Sequence, residues 1–258
     1  MALLDVKNIN KRFGGVVAVD DFSMVVEPNE IVGIIGPNGA GKTTIYNLIS
    51  KVYELDSGQV YLEGEEISHQ KQEKVAKLGI ARTFQNIRLF QSLTVLDNVK
   101  VPCDYKPRYT FAESILMLPR RWKGEAETKR EAMECLELVG LAHLCNEKPS
   151  NLPYGMQRRL EIARALALKP KLLLLDEPAA GLNPEEALGL VDFLKNIMKN
   201  LDISMILIEH RMDVIMELCD RIYVQDFGKT IAMGTPEQIQ TDACVLAAYL
   251  GEEEECNA

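Results

Sequence analysis

The chain contains no uninterrupted apolar run of the roughly 18 residues that a membrane-crossing helix needs, so no transmembrane helix is expected. Its first residues, Met1 to Lys7, lack the charged start and apolar stretch of a signal peptide. None of the six cysteines (103, 135, 145, 219, 244 and 256) forms a CxxC pair or a metal-ligand spacing. Reduced, mostly buried thiols in a cytosolic compartment are therefore expected, and cysteine-held metal is not. Basic charge is also short: a net charge of −9 argues against duplex DNA as a main partner, and no nucleic-acid partner is expected. There are no internal repeats and no linker dividing the chain. With 47% hydrophobic residues, disorder is excluded, and 258 residues suffice for an ample core.

Against those absences stands one dense motif, Gly36-Pro37-Asn38-Gly39-Ala40-Gly41-Lys42-Thr43-Thr44. It follows the apolar run Ile31 to Ile35, which reads as a buried parallel strand, and leads into a helical pattern from Thr44 to Ile49. Glycines free the loop to turn successive backbone N–H groups inward, and the following helix N-terminus adds positive potential. Lys42 supplies a mobile charge for terminal phosphates and Thr43 a hydroxyl for Mg²⁺. The motif predicts a nucleoside triphosphate site.

Residues 3–30 read as short strands, with Val16–Val19 and Phe22–Val26 separated by Asp20-Asp21. Gly58 to Gly64 alternates like a hairpin strand, and together these predict a small antiparallel sheet. A short helix near Glu73 to Leu78 precedes strand character over Gly79 to Gln85. From Leu93 to about Leu144 the pattern is helical, with Ala132, Cys135, Leu136 and Val139 at i, i+3, i+4, i+7. A helix is expected over Gln157–Leu168 and an apolar, internal parallel strand over Leu172–Asp176. Asn183-Pro184-Glu185-Glu186 reads as N-cap, proline at N1 and acidic N3. Ser204 to Ile208 reads as another buried strand, residues 221–233 as a hairpin, and Glu252 to Glu255 as a solvated acidic tail.

Asp176 and Glu177 close the strand at the edge where ligands bind in open α/β sheets. Asp176 suits direct or outer-sphere contact with Mg²⁺, and Glu177 suits a base that orients or deprotonates attacking water. With Gln85, His210 and the segment Asn151-Leu152-Pro153-Tyr154-Gly155-Met156-Gln157, the chain resembles, over nearly its whole length, the ATP-binding subunit of ATP-binding cassette transporters. Lys11 to Gly15, Arg82 to Asn86, Arg88-Leu89-Phe90, Ala179 to Pro184, Ile208-Glu209-His210 and Tyr249 to Glu252 resemble the larger-type ATPase of branched-chain amino acid importers.

The resemblance implies an α/β P-loop NTPase fold of the ABC ATPase type, with an antiparallel β-subdomain and a helical subdomain inserted in a RecA-like core. Residues 1–90 and 157–258 would form the core and β-subdomain, and 91–156 the helical part. It implies that Phe13 stacks on adenine, although an aromatic at a strand end also suits core packing. Gln85 would touch Mg²⁺, His210 would contact the γ-phosphate, and Tyr154, Gly155 and Met156 would clamp the nucleotide of a second copy. A dimer of ATPases beneath two membrane subunits, fed by a solute-binding protein and peripheral to the cytoplasmic face of the membrane, is the implied assembly. Pro153, Tyr154, Met156 and Asn183 depart from the family's usual serine, glycine, glutamine and aspartate, which predicts weaker or slower closure with hydrolysis retained. An exporter ATPase for lipid or lipopolysaccharide, and a soluble ATP-switched protein of translation or DNA repair, remain alternatives. Pro119-Arg120-Arg121-Trp122-Lys123, within the segment 105–124, reads as a solvated loop, with lipid headgroups or a membrane subunit as alternative contacts.

Overall fold

Alternating side chains at the start of the chain build two long antiparallel strands, β1 (Leu4–Phe13) and β2 (Val16–Val26). β2 runs unbroken through Asp20-Asp21, where two short strands were expected. Side chains repair the ladder at the irregularity: Asn8 Nδ2 donates to Asp21 Oδ1 at 2.8 Å, and the Asp21 amide donates to Asn10 Oδ1 at 2.9 Å. β1 also pairs with β4 (Ser57–Leu62), which pairs with β5 (Glu65–Glu66), so the first sheet has the order β2-β1-β4-β5.

The structure, a computed structural model, describes residues 1–103 and 119–250. Residues 104–118, the acidic tail and Cys256 lie outside the described residues, and Pro119 to Lys123, expected as a solvated loop, instead open a helix on which Trp122 is exposed. The second sheet has the order β10-β9-β3-β8-β7-β6, from β3 (Ile31–Ile35), β6 (Ile80–Arg82), β7 (Leu172–Asp176), β8 (Ser204–Ile208), β9 (Arg221–Asp226) and β10 (Lys229–Gly234). Five strands are parallel and β10 is an antiparallel edge. β3, β7 and β8 are buried at every residue, as their unbroken apolar runs require. The helices are α1 (Lys42–Ile49), α2 (Gln72–Leu78), α3 (Val95–Cys103), α4 (Pro119–Leu138), α5 (Tyr154–Leu166), α6 (Pro184–Leu201), α7 (Met212–Leu218), α8 (Pro236–Thr241) and α9 (Ala243–Leu250). None of the described helices is long and apolar enough to cross a membrane.

The chain forms two compact units, one of residues 1–82 and 171 onward, the other of residues 83–170. In the first, one apolar cluster joins Val6, Phe22 and Val60 of the first sheet to Ile34, Ile206 and Tyr223 of the second and to Ile45 and Leu48 of α1. In the second, α3, α4 and α5 pack together, burying Val99, Ala132, Leu136 and Leu160. This unit is wider than the expected helical insert of 91–156. It takes in 83–90 and α5, because β6 stops at Arg82 and the backbone beyond it is held by α5 side chains. Cys135 and Cys145 are half-buried free thiols, Cys219 is a buried one and Cys103 is buried, whereas Cys244 is disulfide-bonded, against the expectation of reduced cysteines throughout.

Candidate active site

The loop between β3 and α1 is shaped by close backbone approach. Gly36 has φ +145°, and a Cβ there would lie 1.9 Å from the Gln225 carbonyl oxygen of β9. Gly41, the N-cap of α1 at φ +97°, passes β2 so closely that a Cβ would lie 2.2 Å from Ala18 O. No larger residue fits either position without moving the loop. Lys42 is buried and its ammonium donates to the carbonyls of Gly36 and Pro37, each at 2.7 Å. Burial pulls the Lys42 pKa down, while the nearby carboxylates of Glu177 and Asp176 push it back up. That opposition brings the loop cation and both strand-end carboxylates into one electrostatic site. Thr43 is exposed at the start of α1, as are Asn38 and Gly39 at the crest of the loop, while Ala40 is buried and Thr44 half-buried.

Adjacent in sequence, Asp176 and Glu177 diverge in environment. Asp176, at the end of β7, is buried, and its Oδ2 accepts from Arg82 Nη2 at 2.8 Å. The same guanidinium donates through Nη1 to Asn47 Oδ1 of α1 at 2.5 Å, tying the ends of β6 and β7 to the helix that carries Lys42. Glu177 leaves the strand at φ +47°, an uncommon conformation for a residue with a Cβ. Its amide is held by Ile208 O at 2.8 Å, and its Oε1 lies 3.1 Å from His210 Nε2. An ionised carboxylate only accepts, so Nε2 is the donor in that pair. Sequence reading singled out Asp176, Glu177 and His210 and gave Arg82 no role of its own, only a place in the segment Arg82 to Asn86.

In the second unit, Gln85 is exposed and its carbonyl accepts from Arg158 Nη2 at 2.8 Å. Arg158, fully buried on α5, also donates to Phe84 O at 2.8 Å and to Glu161 Oε2 at 2.7 Å. Burial raises the Glu161 pKa, and the Arg158 charge opposes it. Both lie just after the signature segment, so α5 couples that segment to the backbone around Gln85. Pro153 is the N-cap of α5 and supplies no side-chain cap, while Tyr154 and Met156 are exposed and Gly155 half-buried in the first turn. Phe13, at the end of β1, is 44% exposed, which removes core packing as its role. Its ring meets Tyr53 edge-on at 5.3 Å, and Lys11 lies 5.6 Å from its centroid.

A sequence profile described as "ABC transporter" matches residues 19–180. The chain belongs to the ABC transporter family. A second profile, described as "Branched-chain amino acid ATP-binding cassette transporter", matches residues 229–255. The chain is similar to the high-affinity branched-chain amino acid transport ATP-binding protein LivG of Escherichia coli, with 40% identity over 97% of this chain and 98% of that protein. Among solved structures it is similar to the ADP conformation of MJ1267, an ATP-binding cassette of an ABC transporter, with 33% identity, a TM-score of 0.85, and 98% and 100% of the two chains covered. It is also similar to the dimeric structure of the cassette MJ0796, a post-hydrolysis state bound to ADP and Pi, at 26% identity and TM-score 0.75, covering 90% of this chain and 98% of that one. This cassette is therefore an ATP-hydrolysing enzyme of the ABC ATPase fold, as the sequence predicted.

The residues present suit MgATP. A loop whose glycine positions a Cβ would fill, a buried lysine, a helix-start hydroxyl and a strand-end carboxylate form the donor set of a triphosphate and a hard cation.

Proposed function

We propose that this cassette hydrolyses MgATP to power import of branched-chain or similar hydrophobic amino acids through two partner membrane subunits, on the cytoplasmic face of the membrane. The match of residues 229–255 to the branched-chain amino acid profile favours this solute class over lipid export. The observation that carries the chemistry is the Glu177–His210 pair, 3.1 Å apart, within electrostatic reach of Lys42.

In this reading, the backbone of 36–44 and Lys42 bind the β- and γ-phosphates, and Phe13 covers adenine with Tyr53 bracing its ring. Thr43 and Asp176 would hold Mg²⁺, which would neutralise phosphate charge when bound. Glu177 takes the proton of the attacking water, and His210 orients that carboxylate and meets the γ-phosphate. The bond from the γ-phosphorus to the bridging oxygen breaks, leaving ADP and inorganic phosphate. Two cassettes close on ATP, each offering the start of α5, at Tyr154, Gly155 and Met156, to its partner's γ-phosphate. With Pro153 in place of a hydroxyl, closure rests on backbone donors and is slower.

Affinity purification from gently solubilised membranes tests the assembly. Two polytopic membrane subunits and a solute-binding protein that carries a hydrophobic amino acid should come with the cassette. Recovery only with ribosomes or nucleic acid would overturn the transport reading.

A further inference from the structure

The loop that follows Glu177 is docked on the segment that carries His210, and one buried carboxylate makes the joint. Glu209 is 2% exposed. Its Oε1 accepts from the Ala179 amide at 2.6 Å, and its Oε2 accepts from the amides of His210 at 3.0 Å and Arg211 at 3.3 Å. Both oxygens are thus spent on backbone donors, one on each side of the site. Burial pushes the Glu209 pKa up, and the three N–H groups that face it oppose this. Two further bonds complete the joint: Glu177 N donates to Ile208 O at 2.8 Å, and Arg211 Nη1 donates to Leu182 O at 3.1 Å. Residues 208–211 therefore hold 177–182 at its start, middle and end.

We infer that Glu209 is a positioning residue that locks the loop 177–182 to the His210 segment, so that the Glu177 carboxylate and the His210 imidazole hold their 3.1 Å register. The inference rests on the reading of Glu177 as the base. Glu177 sits in a left-handed conformation that its own propensity disfavours. Its place is set by bonds on either side of it, and Glu209 supplies the one that fixes the next turn, where Ala180 N donates to Glu177 O at 3.1 Å. A small displacement of a reacting group costs about 10²-fold in rate even when binding is intact. Loss of the joint should therefore act on turnover and spare nucleotide affinity.

The test uses the purified full-length chain. Glu209→Gln keeps the volume and one acceptor oxygen, but puts an N–H against a backbone N–H on one side. Its kcat should fall about 10- to 100-fold, while KM for MgATP stays within about twofold. Arg211→Gln, which leaves no buried charge behind, should lower kcat in the same sense but less. In a double-mutant cycle, Glu209→Gln should add no further loss to Glu177→Gln, because the carboxylate it positions is gone. Unchanged kcat in Glu209→Gln, a parallel fall in kcat and nucleotide affinity, or full additivity with Glu177→Gln would each overturn the inference. Glu177→Gln alone at the wild-type rate would instead overturn the base assignment. An inactive Glu177→Gln beside a fully active Glu209→Gln would sink the joint alone.

Discussion

The phosphate loop and the carboxylate side of the site are held by different means. Around Gly36 and Gly41 the constraint is backbone against backbone, with virtual Cβ contacts of 1.9 and 2.2 Å to carbonyl oxygens. Around Asp176, Glu177 and His210 the constraint is side-chain chemistry, from the Arg82 guanidinium and the Glu209 carboxylate, with partners 94 and 30 residues away in the chain. The first kind of support tolerates no added atom. The second tolerates change in shape but not the loss of a charge or an acceptor.

Substitutions that strike one side and spare the other sharpen this contrast. The largest effect is expected from Gly41→Ala, whose methyl meets Ala18 O and whose φ of +97° an L side chain disfavours. Nucleotide affinity, read by titration with a fluorescent ATP analogue, should fall by about 10³-fold or more, since several aligned loop donors are lost together. Next comes Arg82→Met, which removes the guanidinium from which the buried Asp176 carboxylate accepts. Unfolding in urea should show a loss of about 3–5 kcal/mol. Much of it should be recovered in the Arg82→Met/Asp176→Asn double variant, where the buried carboxylate is removed together with the guanidinium. The smallest is Asn183→Ala, which removes the reciprocal cap with Glu186 at the start of α6. It should cost about 1 kcal/mol in the same urea titration and leave nucleotide affinity unchanged. If Arg82→Met proved harmless while its double variant was destabilised, the carboxylate side would not depend on that ion pair.

The same contrast explains what could be read from the sequence. A glycine loop between an apolar strand and a helix is a local pattern, so Gly36 to Thr44 was legible at once, as were the buried strands β3, β7 and β8 and the cap at Asn183. Arg82, half-buried, and Arg158 and Glu209, buried, act through partners far along the chain, and nothing in their neighbourhoods marks those roles. Two boundaries differ from those expected, for related reasons. β2 continues through Asp20-Asp21 because Asn8 and Asn10 on the neighbouring strand supply the missing hydrogen bonds. The second unit reaches from 83 to 170 because buried Arg158 and Glu161 draw the chain after β6 onto α5. Periodicity registers neither event.

The central claim is that Glu177 is the base and that the phosphate side works without it. It is tested most directly by measuring ATP turnover and nucleotide affinity together in Glu177→Gln. Turnover should fall by about 10²- to 10⁴-fold with affinity unchanged. Hydrolysis at the wild-type rate would contradict the account.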